Sequence, residues 1–194
     1  GTLRMNSGTD LQASALITFQ GGILESSGSL LLDYLDFQGQ SRIRLLSDSQ
    51  ISSSSPINLE TIEFNQNHLQ LASETSDLTV KNLTLDAEGE KGLDTGLADL
   101  NVSGSFQVQS GRLASSGGVL DFSGTALFDP MESVLELDNS TLNLTNELKL
   151  SSELRFAGDS NLPKNGLLDL SGSLIKLDGN LDLEGVQTDN STFV

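Results

Sequence analysis

Apolar and polar residues alternate along most of this chain. Leu69/Leu71, Leu83/Leu85, Leu135/Leu137, Leu142/Leu144, Leu148/Leu150, Leu154/Phe156, Leu168/Leu170 and Leu181/Leu183 each set two apolar side chains around one polar residue. Phe106/Val108 and Ile62/Phe64 repeat the pattern. A period of two puts one face of a strand inward and the other in water. No segment sustains helical spacing. The one stretch long enough to test, Asp86 to Leu100, contains Gly89, Gly92 and Gly96, which weaken a helix. Between the strands lie clusters that favour turns: Ser26-Ser27-Gly28, Gln38-Gly39-Gln40, Ser52 to Ser55, Ser115-Ser116-Gly117-Gly118, Asp138-Asn139-Ser140 and Asp178-Gly179-Asn180. Gly, Asn and Asp tolerate positive φ there, and Ser and Asp bond the local backbone.

Short strands with short connections fit a sandwich of antiparallel hairpins or a β-helix. Composition decides between them. The 37 leucines exclude a disordered acidic chain and fill a stacked interior well. Eight Phe, one Tyr and no Trp are few for a sandwich core. Leu also outweighs the β-branched and aromatic residues that ordinary sheets prefer. The expectation is therefore all-β: a single-stranded, right-handed parallel β-helix with a Leu-rich interior. An antiparallel sandwich or an open curled sheet is the alternative.

No linker divides the chain, which reads as one continuous domain over 1–194. Ile17 to Leu32 matches Phe106 to Asp121 at seven of sixteen positions with an offset of 89, and His68 to Glu74 echoes Glu147 to Glu153. Such spacing fits a degenerate duplication, about 17–100 and 106–185, holding roughly four coils of about 20 residues in each half. The first residue is Gly1 rather than Met, so a fragment of a larger chain is expected.

With 27 acidic and 10 basic residues the net charge is −17, a field that repels nucleic acid and anionic membrane surfaces. No apolar run nears the roughly 20 residues of a membrane span. Without Cys there is no disulfide, thiol nucleophile or thiolate metal site, and one His cannot make a multi-histidine site.

Candidate chemistry is sparse. Asp33/Asp36 and Asp121/Asp129 are carboxylate pairs with no accompanying hydrolase motif, and fit solvated outer faces. Arg42 and Arg44 share one face of a strand and read as salt-bridged to it. Arg112 and Arg155 stand isolated in the sequence. His68 fits a turn position. Ser52 to Ser55 resembles no nucleophile elbow and reads as a flexible loop. For a cation, Asp178, Asn180, Asp182 and Glu184 offer oxygen ligands at alternate positions, and calcium is the metal they would suit. Leu183, however, stands where an EF-hand loop needs Gly. The sequons at Asn82, Asn101, Asn139, Asn143 and Asn190 matter only in a eukaryotic secretory setting.

The segments FQGGILESSGSLLLD (19–33), LNVSGSFQVQSGRLASSGGVLDFSG (100–124) and LLDLSGSLIKLDGNLDLEG (167–185) resemble the strand-repeat regions of secreted bacterial surface proteins, the filamentous-haemagglutinin-like adhesins and autotransporter passengers. The Asn-rich corner of many such proteins is only partly present, through Asn58, Asn82, Asn101 and Asn143. The resemblance implies a parallel β-helix, export to the cell surface, and a non-enzymatic role in adhesion or as a structural stalk. It implies as partners a surface glycan or protein, and end-to-end stacking with neighbouring repeats or copies. Two alternatives follow from the same residues. One is a polysaccharide lyase or tail-spike hydrolase on this fold. The other is a lipid-transfer groove, since the Leu-x-Leu pattern also resembles AsmA- and TamB-like envelope proteins. Function would sit in the longer loops: Ser47 to Pro56, Asp86 to Asp94 and Gly158 to Gly166.

Overall fold

The computed structural model describes residues 1–6, 17–73, 75, 77–128, 132–150, 152–162, 167–179 and 186–194. Among these residues the regular structure is strand alone, and each strand pairing is parallel. The chain winds as a parallel β-solenoid of about eight turns. The antiparallel sandwich and the open curled sheet are thereby excluded.

Each turn presents three faces. The first is formed by Thr2–Asn6, Ile23–Ser27, Arg42–Leu45, Thr61–Glu63, Leu83–Asp86, the start of Phe106–Ser116, Ala126–Phe128, Glu147–Lys149, Leu167–Asp169 and Val186–Gln187. The second runs through Ser29–Leu31, Ser49–Ser52, Leu69–Leu71, Gly92–Asp94, the end of Phe106–Ser116, Ser133–Asp138, Glu153–Gly158, Leu174–Gly179 and Thr192–Phe193. The third holds Ile57–Leu59, Leu78–Val80, Leu100–Val102, Val119–Phe122 and Thr141–Leu144, together with the pair Ile17–Gln20 and Leu35–Gln38.

Register explains why leucine dominates. On the first face Leu24, Ile43, Ile62, Leu83, Phe106, Ala126, Leu148 and Leu168 follow one another, turn after turn. On the second, Leu69, Leu93, Leu113, Leu135, Leu154 and Ile175 do the same. On the third the row is Ile57, Leu78, Leu100, Leu120 and Leu142. These rows converge on one closed, buried interior. A branched side chain repeated every turn packs on its own copy without a large aromatic. Phe106 is the local exception. It stacks on Phe122 at 4.6 Å and meets Phe128 edge-on at 5.5 Å, spanning two faces.

A turn takes 18 residues between Leu168 and Val186 but 23 between Leu83 and Phe106. The corners absorb the difference, and buried hydroxyls hold them. Ser26 donates to Ser49 at 3.0 Å, Ser140 to Ser115 at 3.0 Å and Ser133 to Ser152 at 2.9 Å, each joining adjacent turns. Such bonds satisfy polar groups that burial would otherwise strand.

Ser52 to Ser55, expected as a flexible loop, is a fixed corner. Ser53 is buried and donates to the Ser55 carbonyl at 2.8 Å, while the Ser54 amide donates to the Asp33 carboxylate at 2.6 Å. The expected loop Ser47 to Pro56 likewise contains the second-face strand Ser49–Ser52. The segments matched at an offset of 89 are not stacked equivalents: Leu24 lies on the first face and its match Leu113 on the second. The echo of Leu69 in Leu148 crosses faces as well.

Candidate functional site

Outward charges concentrate in two places. On the first face Arg4, Glu25, Arg44 and Glu63 occupy one row on four consecutive turns, so signs alternate along the axis. The two nitrogens of Arg4 donate to one Glu25 oxygen at 2.8 and 2.6 Å, and Arg44 donates to the other at 3.2 Å. Arg44 also donates to Glu63 at 2.6 Å, and Arg42 reaches Glu63 at 3.4 Å. The hydrogen bonds from Arg4, joined by those from Arg44, hold the Glu25 carboxyl below the usual carboxylate range. Arg42 and Arg44 are thus the salt-bridged outer face that the sequence pattern led us to expect.

The second cluster lies on the second face. Asp94, Ala114, Glu136, Arg155 and Lys176 form its outward row. Arg112, one position to the side, bridges Glu136 at 3.0 Å and Asp94 at 3.8 Å. Arg155 contacts Glu136 and Glu153, and Lys176 donates to Glu153 at 2.7 Å. Arg112 and Arg155 are therefore not isolated. They sit two turns apart and share Glu136. From outside the row, Glu90 takes two hydrogen bonds from Arg155, both 2.8 Å. These hold the Glu90 carboxyl below its usual range.

His68 is half-buried at the foot of this cluster. Its Nδ1 accepts from the Gly92 amide at 3.1 Å, and its own amide donates to Asp48 at 2.9 Å. Burial pushes the imidazole pKa down, so the neutral form is favoured. Gly92 itself is required. Its φ is +152°, and a Cβ there would lie 2.0 Å from the Arg112 carbonyl oxygen.

The remaining candidates do not assemble. Asp33 caps the serine corner, while Asp36 accepts from Gln38 and Asp121 from Ser123. Asp129 lies outside the described residues. Of the calcium set, Asp178 is an exposed residue of Leu174–Gly179. Asn180, Asp182 and Glu184 lie outside the described residues. Among the described residues no group of three His, Asp or Glu side chains is arranged to hold a metal. Asn82 accepts from Ser105, and Asn139 from the Asp159 amide, so both are built into corners. Asn101 and Asn143 face outward on the third face, and Asn190 occupies an exposed turn.

A groove of about 430 Å³ lies on the second face, with Ala157, Leu177 and Val194 in its lining. It is bounded by the Glu136–Arg155–Lys176 row on one side and by Asp138 and Asp178 on the other. Glu90, Glu136, Glu153 and Lys176 escaped the sequence reading, because only stacking register brings them to the two arginines. Among the described residues every lysine and arginine is ion-paired. Comparison with protein-family models, with curated proteins and with solved structures finds no match.

Proposed function

We propose that this chain is a non-enzymatic segment of a secreted cell-surface protein, a stalk that sets the spacing of the parts it joins. One observation carries the reading: the described cations are spent on acids of the same solenoid, nearly all along its axis. A lyase or sugar hydrolase on this fold needs a basic group free to meet an acidic substrate or to move a proton. Here each described Arg and Lys already has a carboxylate, and the His68 Nδ1 is engaged by Gly92. A lipid-carrying groove needs an accessible apolar lining, whereas the stacked leucines are buried. The charged groups left outside are mostly acidic or internally bonded, as suits a solvated spacer, although single apolar side chains such as Leu97 and Leu127 are also exposed. The ten stacked strands of the first face, at the ~4.8 Å strand spacing, give a rod of roughly 40 Å.

The test is a glycan array run with and without calcium, with thermal melts on the same samples. A spacer gives a flat array and a melting temperature indifferent to calcium. Specific glycan binding would overturn the reading in favour of an adhesive module. A calcium-dependent rise in melting temperature would instead reopen the acidic turns as a cation site.

A further inference from the structure

The ion pairs of the described residues obey a simple rule, with two exceptions. Nearly all join residues of one strand or of adjacent turns. The exceptions are Arg155–Glu90 and Lys91–Asp48. They come from consecutive residues of one loop and pull in opposite directions. Lys91 reaches back two turns to Asp48 at 3.1 Å. Glu90 reaches forward three turns to Arg155, along the register Asp94, Ala114, Glu136, Arg155. Together the two contacts span five turns, about 24 Å at the ~4.8 Å strand spacing.

The loop is built differently from the other corners. Ala87 and Gly92 are tied into the solenoid: the Ala87 amide donates to Ser110, and the Gly92 amide to His68. Between them Glu88, Gly89 and Glu90 are exposed, Glu90 by 68 % of its side chain. Nothing lies within 4 Å of a Cβ built on Gly89. The Lys91 carbonyl accepts from the Arg112 amide at 2.8 Å, so the part of the loop held by charge is Glu88 to Glu90. Exposed ion pairs of this kind are weak and are screened by salt.

We propose that residues 88–90 form a releasable strap across the second face, closed by Glu90 on Arg155 and steadied at its base by Lys91 on Asp48, and opened by salt or acid. Open, it exposes Arg155 and the neighbouring Arg112–Glu136 pair. Acid acts at two points. Protonating His68 at Nδ1 removes the acceptor of the Gly92 amide, in surroundings set by Asp94, Arg112 and Asp48. Protonating Glu90 removes the partner of Arg155, which also faces Glu136 and Glu153, while Glu90 further feels Arg112 and Lys176.

The chain has no Cys, so two can be introduced cleanly. Spin labels on the exposed positions Glu88→Cys and Asp159→Cys report the distance from the loop tip to the Arg155 strand by pulsed electron resonance. At low salt and neutral pH one narrow distance is expected. In about 1 M NaCl, where the screening length is about 3 Å, the distribution lengthens and broadens about twofold. The substitution Glu90→Gln produces the same change at low salt. Arg155→Gln matches it, and the double substitution adds nothing further, as expected of one pair. Far-UV circular dichroism stays that of the parent. A distribution unchanged by salt and by Glu90→Gln overturns the proposal. So does loss of the β signal in Glu90→Gln, which would make the contact a folding element. If Arg155→Gln alone loses that signal, Glu90→Gln decides the matter.

Discussion

The first and second faces bury the same kind of interior and treat their outer charges in opposite ways. On the first face Arg4, Glu25, Arg44 and Glu63 follow strand register, each bonded to its neighbour one turn away. On the second face charges on two rows meet diagonally through Arg112 and Arg155, and a loop from another turn adds Glu90. The lesson concerns cost. The first row is held in place by backbone ladders formed in any case, so its pairs lose little further freedom. The second cluster must also hold a loop still, which costs conformational entropy.

The largest effects come from what the two faces share. Ile43→Ala on the first face and Leu113→Ala on the second should each cost about 3 kcal/mol in urea denaturation. A gap of more than about twofold between them would break the symmetry of the interior. Next, Gly92→Ala should destabilise by on the order of 2 kcal/mol, because its Cβ meets the Arg112 carbonyl and nothing flexible can give way. On the first face, Glu25→Gln leaves Arg4 and Arg44 without their shared carboxylate. Its melting temperature should fall, though by less than the alanine variants. The pH dependence has a definite sign. The Glu25 carboxyl is lowered in the folded state by Arg4 and then Arg44, so its contribution is full above about pH 4.5 and fades as acid is added below that. Glu25→Gln should flatten that acid limb of a melt-versus-pH curve.

On the second face, His68 is lowered by burial, so the unfolded chain takes up its proton first. Stability should therefore decline as pH falls below about 6.5, and His68→Gln should remove that step. The smallest effect is that of Glu90→Gln, within about 1 kcal/mol of the parent and vanishing at high salt, since the pair is exposed.

The interior was legible because period two is a local property. Leu69/Leu71, Leu83/Leu85, Leu135/Leu137, Leu142/Leu144 and Leu154/Phe156 all point inward and are buried. Turn residues marked most corners for the same reason. What sequence could not convey is which residues become neighbours along the axis. That depends on accumulated turn length, and turn length drifts between 18 and 24 residues. Arg112 and Arg155 look unrelated until two turns bring them onto Glu136. The internal similarities failed as guides to stacking on the same account: a match at an offset of 89 lands on a different face. The Ser52 to Ser55 run misled through composition. Serine there is not loop filler but a set of donors and acceptors for a closed corner.

The all-parallel winding has a mechanical consequence. A pull on the chain ends loads the backbone hydrogen bonds of a terminal turn one after another, like a zip, rather than all together in shear. The rod should then pay out in steps, each freeing 18 to 24 residues. At ~3.4 Å per residue, each step adds roughly 60 to 80 Å of slack. The exposed pairs of Glu90 and Lys91 are too weak to halt such peeling, which the backbone ladders and buried rows of each turn resist.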